Sequence, residues 1–133
     1  MASLDDVRRL ALSLPEAQER ASYGGAPAWS IKGKGFVWER PLRGADLQAL
    51  GAAAPTGTVV GLSVEDLGAK EALLADDGPV VFTIPHFDGY PAVLVRLDDV
   101  GLPVLEELVV EAWLARAPKR LRAAYLAERG LDR

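Results

Sequence analysis

A chain of 133 residues, half of them hydrophobic and 26% charged, has the composition of an ordinary folded domain and lies far from the low-hydrophobicity, high-charge regime of disorder. It holds no cysteine, which excludes disulfides, thiolate nucleophiles and thiolate-ligated metal centres. Its length fits one domain over residues 1–133, since single cores commonly span roughly 100–200 residues, and its net charge of −4 is the opposite of the usual footprint of a nucleic-acid binder.

Ser3 followed by Asp6 has the form of a capping box, and Leu4, Val7, Ala11 and Leu14 recur at helical spacing until Pro15 forbids continuation, so a first helix is predicted over 4–14. The charged opening residues Asp5, Asp6, Arg8 and Arg9 lack the apolar centre of a signal peptide, which predicts a cytoplasmic protein. Tyr23 to Pro27, with two glycines, reads as a loop. A hairpin is predicted from Ala28 to Ile31 and Gly35 to Arg40, turning at Lys32-Gly33-Lys34, with Phe36 and Trp38 on one face and Val37 on the other.

Residues 41–57, rich in alanine, glycine and proline, read mostly as a connection, with room for a short helical turn inside 45–54. No stretch has the continuous apolar span of a membrane helix, so no membrane partner is expected. Thr58 to Leu62 has strand composition, and Ser63 with Asp66 repeats the helix-start pattern, which predicts a second helix over 64–75. Two further strands, 80–84 and 92–97, flank the loop P-H-F-D-G-Y-P; in the second, Val93, Val95 and Leu97 face one way and Leu94 and Arg96 the other. Pro103 suits a helix's first turn, Leu105, Leu108, Val109, Ala112 and Arg116 track one face of that third helix, and a last helix runs from Pro118 to about Arg129 with Gly130 as its cap. The order α-β(3)-α-β(2)-α plus a C-terminal helix, with short turns inside each strand group, favours an α+β fold: an antiparallel sheet with helices on one face.

The charges are segregated along the chain. Residues 31–43 carry +3, residues 116–133 carry +4, and residues 44–115 carry −10. Lys32, Lys34, Arg40 and Arg43 of the hairpin, interleaved with Trp29, Phe36 and Trp38, form one candidate phosphate-contacting group. Lys119, Arg120 and Arg122, at the start of a helix, form a second.

His86 is the only histidine, and Asp88 would share its side of an extended segment. No serine stands in a nucleophile frame and no Walker or dinucleotide fingerprint is present, so neither catalysis nor a cofactor is expected. A metal site is not expected either, because His86 would have only carboxylates for company.

The chain resembles the MmcQ/YjbR family in A-L-S-L-P (Ala11 to Pro15), Y-G-G-A-P-A-W (Tyr23 to Trp29), I-K-G-K-G-F (Ile31 to Phe36), E-A-L-L-A-D (Glu71 to Asp76), P-H-F-D-G-Y-P-A-V-L-V-R-L (Pro85 to Leu97) and the run from Glu111 to Leu121. The resemblance implies a two-layer, secretion-chaperone-like fold. It also implies the family's label of DNA binding through projecting β-wings, with residues 41–57 departing from the usual wing. Two functions are therefore carried forward. One is a non-catalytic DNA-binding domain using the seven cations named above. The other is a small-molecule or protein-binding module with a pocket lined by Trp29, Lys34, His86, Asp88 and Tyr90.

Overall fold

A computed structural model describes residues 2–130; Asp132 and Arg133, both counted in the basic tail, lie outside the described residues. Helix α1 (Leu4–Leu12) starts as its capping box predicts: the Ser3 hydroxyl accepts from the Asp6 amide, and the Asp6 carboxylate accepts from the Ser3 amide. Those bonds satisfy two donors that a helix end otherwise orphans. Pro15 and a left-handed Glu16 (φ 58°) then turn the chain into β1 (Ala17–Ala21).

Nothing in the hydropathy of β1 announces a strand, because A-Q-E-R-A has no β-branched residue and only Ala17 is even half-buried. It is extended because β2 (Pro27–Ile31) supplies its partners, from Ala17 opposite Ile31 to Ala21 opposite Pro27. β2 returns as β3 (Lys34–Glu39) through Lys32 and Gly33, whose positive φ angles of 51° and 81° match the two-residue turn that suits twisted strands. Beyond β3 come α2 (Gly44–Leu50), β4 (Val59–Ser63), α3 (Leu67–Asp77), β5 (Val81–Phe82), β6 (Ala92–Arg96), α4 (Leu102–Arg116) and α5 (Lys119–Glu128). The strands form one antiparallel sheet in the order β1-β2-β3-β4-β6-β5, an α+β architecture as expected.

Helices α1, α4 and α5 bury the larger core on one face, where Val7, Leu105, Val109 and Trp113 meet Trp29, Val37, Val60, Val93 and Val95. The opposite face carries a smaller cluster over the β3-β4-β6-β5 half: Val59, Phe82, Ile84, Phe87, Ala92 and Leu94, with Trp38, Leu42 and Leu50 packed against it. β4 is accordingly buried along its whole length.

Two local expectations are corrected. Phe36 does not share a face with Trp38. The β2–β3 register slips between Trp29 (opposite Val37) and Ser30 (opposite Gly35), which makes Phe36 the extra residue of a bulge and sends both Phe36 and Val37 into the larger core. Ser63 is not a helix cap. Asp66 caps α3 by accepting from the Ala69 amide, and the Ser63 hydroxyl instead donates to the Gly35 carbonyl and accepts from Arg116 Nε.

Candidate functional site

The histidine loop is built around a lysine that sequence reasoning passed over. Lys70 of α3 is buried, 6% exposed, and its ammonium donates to the carbonyls of Phe87 (2.7 Å) and Tyr90 (2.9 Å). It therefore gathers two main-chain acceptors that a tight turn cannot pair itself. Desolvation holds the Lys70 pKa below its usual value, with the nearby Asp88 carboxylate opposing the shift.

Residues Pro85–Phe87 coil into a single tight turn, so the expected extended geometry, with His86 and Asp88 side by side, does not occur. His86 is exposed and sits edge-on to the Phe87 ring, with centroids 5.0 Å apart. No hydrogen bond joins its imidazole to another described residue. Tyr90 is exposed, with its hydroxyl 3.3 Å from Arg116 Nη2.

Trp29 is the clearest correction to the proposed pocket. It is fully buried on the helix-covered face, where its indole N–H donates to Glu19, which in turn binds Arg8 at 2.8 Å. The Arg8 and Trp29 bonds hold the Glu19 carboxyl below its ordinary range. A side chain sealed in the core cannot line a site shared with exposed Lys34, His86, Asp88 and Tyr90, and none of those five residues lines the clefts described below.

The four candidate phosphate contacts of the hairpin divide between the two ends of β3. Lys32 and Lys34 are exposed at the hairpin end, whereas Arg40 and Arg43 follow the far end, about 20 Å along the strand at 3.3 Å per residue. Arg40 is unavailable to a polymer backbone. Only 7% exposed, it donates from Nη1 to the Pro41 carbonyl, faces the buried Asp46 carboxylate at 3.2 Å, and lies over the Phe87 ring. Arg43 is exposed, and its amide donates to Asp46, which opens α2.

Lys119 and Arg120 are exposed at the start of α5. Arg122 is half-buried, donating to the Leu114 carbonyl and facing Glu65 at 3.6 Å. Lys32 pairs with Glu16 at 2.5 Å, and the charge of Arg120 acts on the same carboxylate. Trp113, near the end of α4, donates to the Pro15 carbonyl, so Glu16 and the hairpin tip it pairs with lie on the side where α4 passes into α5, and part of each basic segment falls there. Arg116 belongs there too, held by Ser63 and Tyr90.

Clefts of about 410 Å³ beside Glu16 and Lys32 and about 450 Å³ beside Lys119 and Arg122 open at that end, and others open elsewhere. One of about 400 Å³ lies between the end of β3 and residues 55–59, beside Arg40, Leu42 and Leu47. A smaller one of about 210 Å³ adjoins it near Arg96 and Asp98. A third, of about 240 Å³ and mainly apolar, runs between α3 and α4 over Val64, Leu73 and Leu114. No described helix is long and apolar enough to cross a membrane, and no group of three or more metal-ligating side chains occurs among the described residues.

The YjbR family model matches residues 12–115. The chain belongs to the YjbR family. It is 50% identical over 133 residues to the uncharacterized protein Rv2570 of Mycobacterium tuberculosis and to the uncharacterized protein Mb2600 of Mycobacterium bovis, matches that cover 98% of this chain and 100% of each relative. The crystal structure of Deinococcus radiodurans protein DR2400, with a DUF419 domain, superposes with a TM-score of 0.67 at 20% identity, covering 99% of this chain and 91% of that one, a likeness of fold. The YjbR match includes Lys32, Lys34, Arg40, Lys70 and the His86 loop, and it stops short of the α5 cations Lys119, Arg120 and Arg122.

Proposed function

We propose that this YjbR-family protein is a non-catalytic nucleic-acid-binding domain that holds a phosphate backbone at one sheet end, with Lys34, Lys119 and Arg120 as the main contacts and Lys32 and Arg122 beside them. The observation that carries the reading is the placement of Glu16, which pairs with Lys32 of the hairpin on the side of the molecule where α4 passes into the basic start of α5. Its carboxyl is held below the ordinary range first by the Lys32 hydrogen bond and to a lesser degree by Lys32 and Arg120 charge. Glu16 and Lys32 are also the two described non-glycine residues with left-handed backbone angles, φ 58° and 51°. These angles belong to the turns that lead into β1 and β3 and hold the two members of the pair in place.

Lys34, Lys119 and Arg120 have no ion-pair partner among the described residues, so binding should release counterions from roughly three phosphates, with log Kobs falling against log salt at a slope of roughly −3. Such contacts fix position without reading bases, so affinity should vary little with sequence.

Fluorescence anisotropy on a mixed-sequence duplex, across a salt series, tests the reading. Lys34→Ala and Arg120→Ala should each weaken binding and reduce the slope by about 1, while Arg43→Ala, at the far sheet end, should change neither. Unchanged affinity and slope in the first two variants would overturn it.

A further inference from the structure

At the opposite sheet end from that surface, the cleft beside Arg40 has the makings of a small-ligand site. Arg40 is more than nine-tenths buried, and both of its protein contacts, the Pro41 carbonyl and the Asp46 carboxylate, fall on Nη1. A guanidinium carries five N–H donors in one plane, and those on Nε and Nη2 have no acceptor among the described residues. The buried side-chain atoms without a partner are Ser30 Oγ and Thr83 Oγ1, so the free edge of Arg40 is not sealed off; it opens onto accessible space, which here is the cleft of about 400 Å³ that Arg40 lines.

Asp46 and the Phe87 ring hold the fork in place before any ligand arrives. Pro41, Leu42 and Leu47 supply an apolar strip in a lining that is otherwise mainly polar, with Glu39, Thr56 and Thr58 along the same cleft. Its volume falls within the roughly 300–1,000 Å³ of small-molecule sites.

We infer that this cleft binds a small organic monocarboxylate with an apolar body, its carboxylate paired side-on with Nε and Nη2 of Arg40. The planar, two-donor edge fits a carboxylate in bidentate fashion. Asp46 and Glu39 against one guanidinium leave the cleft without surplus positive charge, so the free donors of Arg40 suit a monoanion that meets them alone, whereas a phosphate dianion would meet stronger repulsion from those carboxylates with no second cation lining the space.

Nuclear magnetic resonance of the Arg40 Nε–H group, with hexanoate as probe and 1-hexanol and inorganic phosphate as comparisons, tests this. Hexanoate should move the Arg40 signal saturably by about 10 mM, a concentration at which a millimolar site is mostly filled. Hexanol and phosphate should not. Because removing Arg40 would strand Asp46, the companion variant is Leu47→Trp at a position 44% exposed, which narrows the cleft without touching the core and should weaken hexanoate at least about tenfold.

The double variant Lys34→Ala/Arg120→Ala should bind hexanoate as the native chain does, which separates this site from the nucleic-acid surface. No saturable shift, an equal response to hexanol, displacement by phosphate, or native-like binding in Leu47→Trp would each overturn the inference.

Discussion

Replacing Gly61 by valine should cost about 3 kcal/mol of folding free energy and leave little native protein at moderate urea, because the side chain would have to occupy the space of Trp38. A Cβ built on Gly61 stands 2.4 Å from Trp38 Cε2 and 2.5 Å from its Nε1, closer than real carbon contacts come. The neighbour cannot simply swing away. Trp38 packs against the second cluster, 6.4 Å from the Phe87 ring, and Gly61 lies in the middle of β4, held between β3 and β6. Against a total stability of roughly 5–15 kcal/mol, such a loss is a large share. A urea titration reads it as a lower midpoint with an unchanged slope. Trp38→Leu should recover part of the loss in Gly61→Ala, a coupling that a double-mutant cycle measures. A valine variant within about 0.5 kcal/mol of the native chain would show that the indole does not depend on that glycine.

Lys70→Met should destabilise the protein by about 2–4 kcal/mol, since the methionine fills similar volume but leaves the Phe87 and Tyr90 carbonyls without their donor. The damage should centre on the loop from Pro85 to Pro91, seen as faster amide exchange there. This lysine also carries a signature in pH. Its folded pKa lies below the ordinary 10.5, so between the lowered value and 10.5 the unfolded chain binds more protons than the folded one. Native stability therefore rises with pH across that window, and the cost of burying the charge is present in full below it. The methionine variant lacks this dependence, so the stability gap between the two proteins should widen as pH rises toward 10.5. Parallel stability profiles over that range would sink the claim that burial perturbs this group.

How much of this was legible depended on whether the signal was local. The capping box at Ser3 and Asp6 and the alternation of Val93, Leu94 and Val95 report on neighbours in sequence, and the fold honours both. The strand Ala17–Ala21 is written in its partner's sequence rather than its own, and the bulge at Phe36 follows from a register slip that alternation cannot foresee. The basic residues show the same divide. A count of charges cannot tell Arg40, locked against Asp46 and Phe87, from Lys34, which projects into solvent. Lys70 gave no sign of burial, being a charged residue in a helix that is otherwise largely exposed. Arg116 did give one: a base spaced four residues from Ala112 on an apolar stripe, and it turns inward to bind Ser63.

The two borders of the sheet are both poor places for another chain to add itself. On one side Gln18, Glu19 and Arg20 stud a strand whose outer main-chain groups face water, and a foreign strand laid there would have to strip hydration from each of those side chains. On the other, β5 extends for two residues only, too short to template a growing ladder. Crowded together at high concentration, copies of this protein should therefore resist zipping into fibrils along these margins, even though the interior of the sheet is almost wholly aliphatic and aromatic.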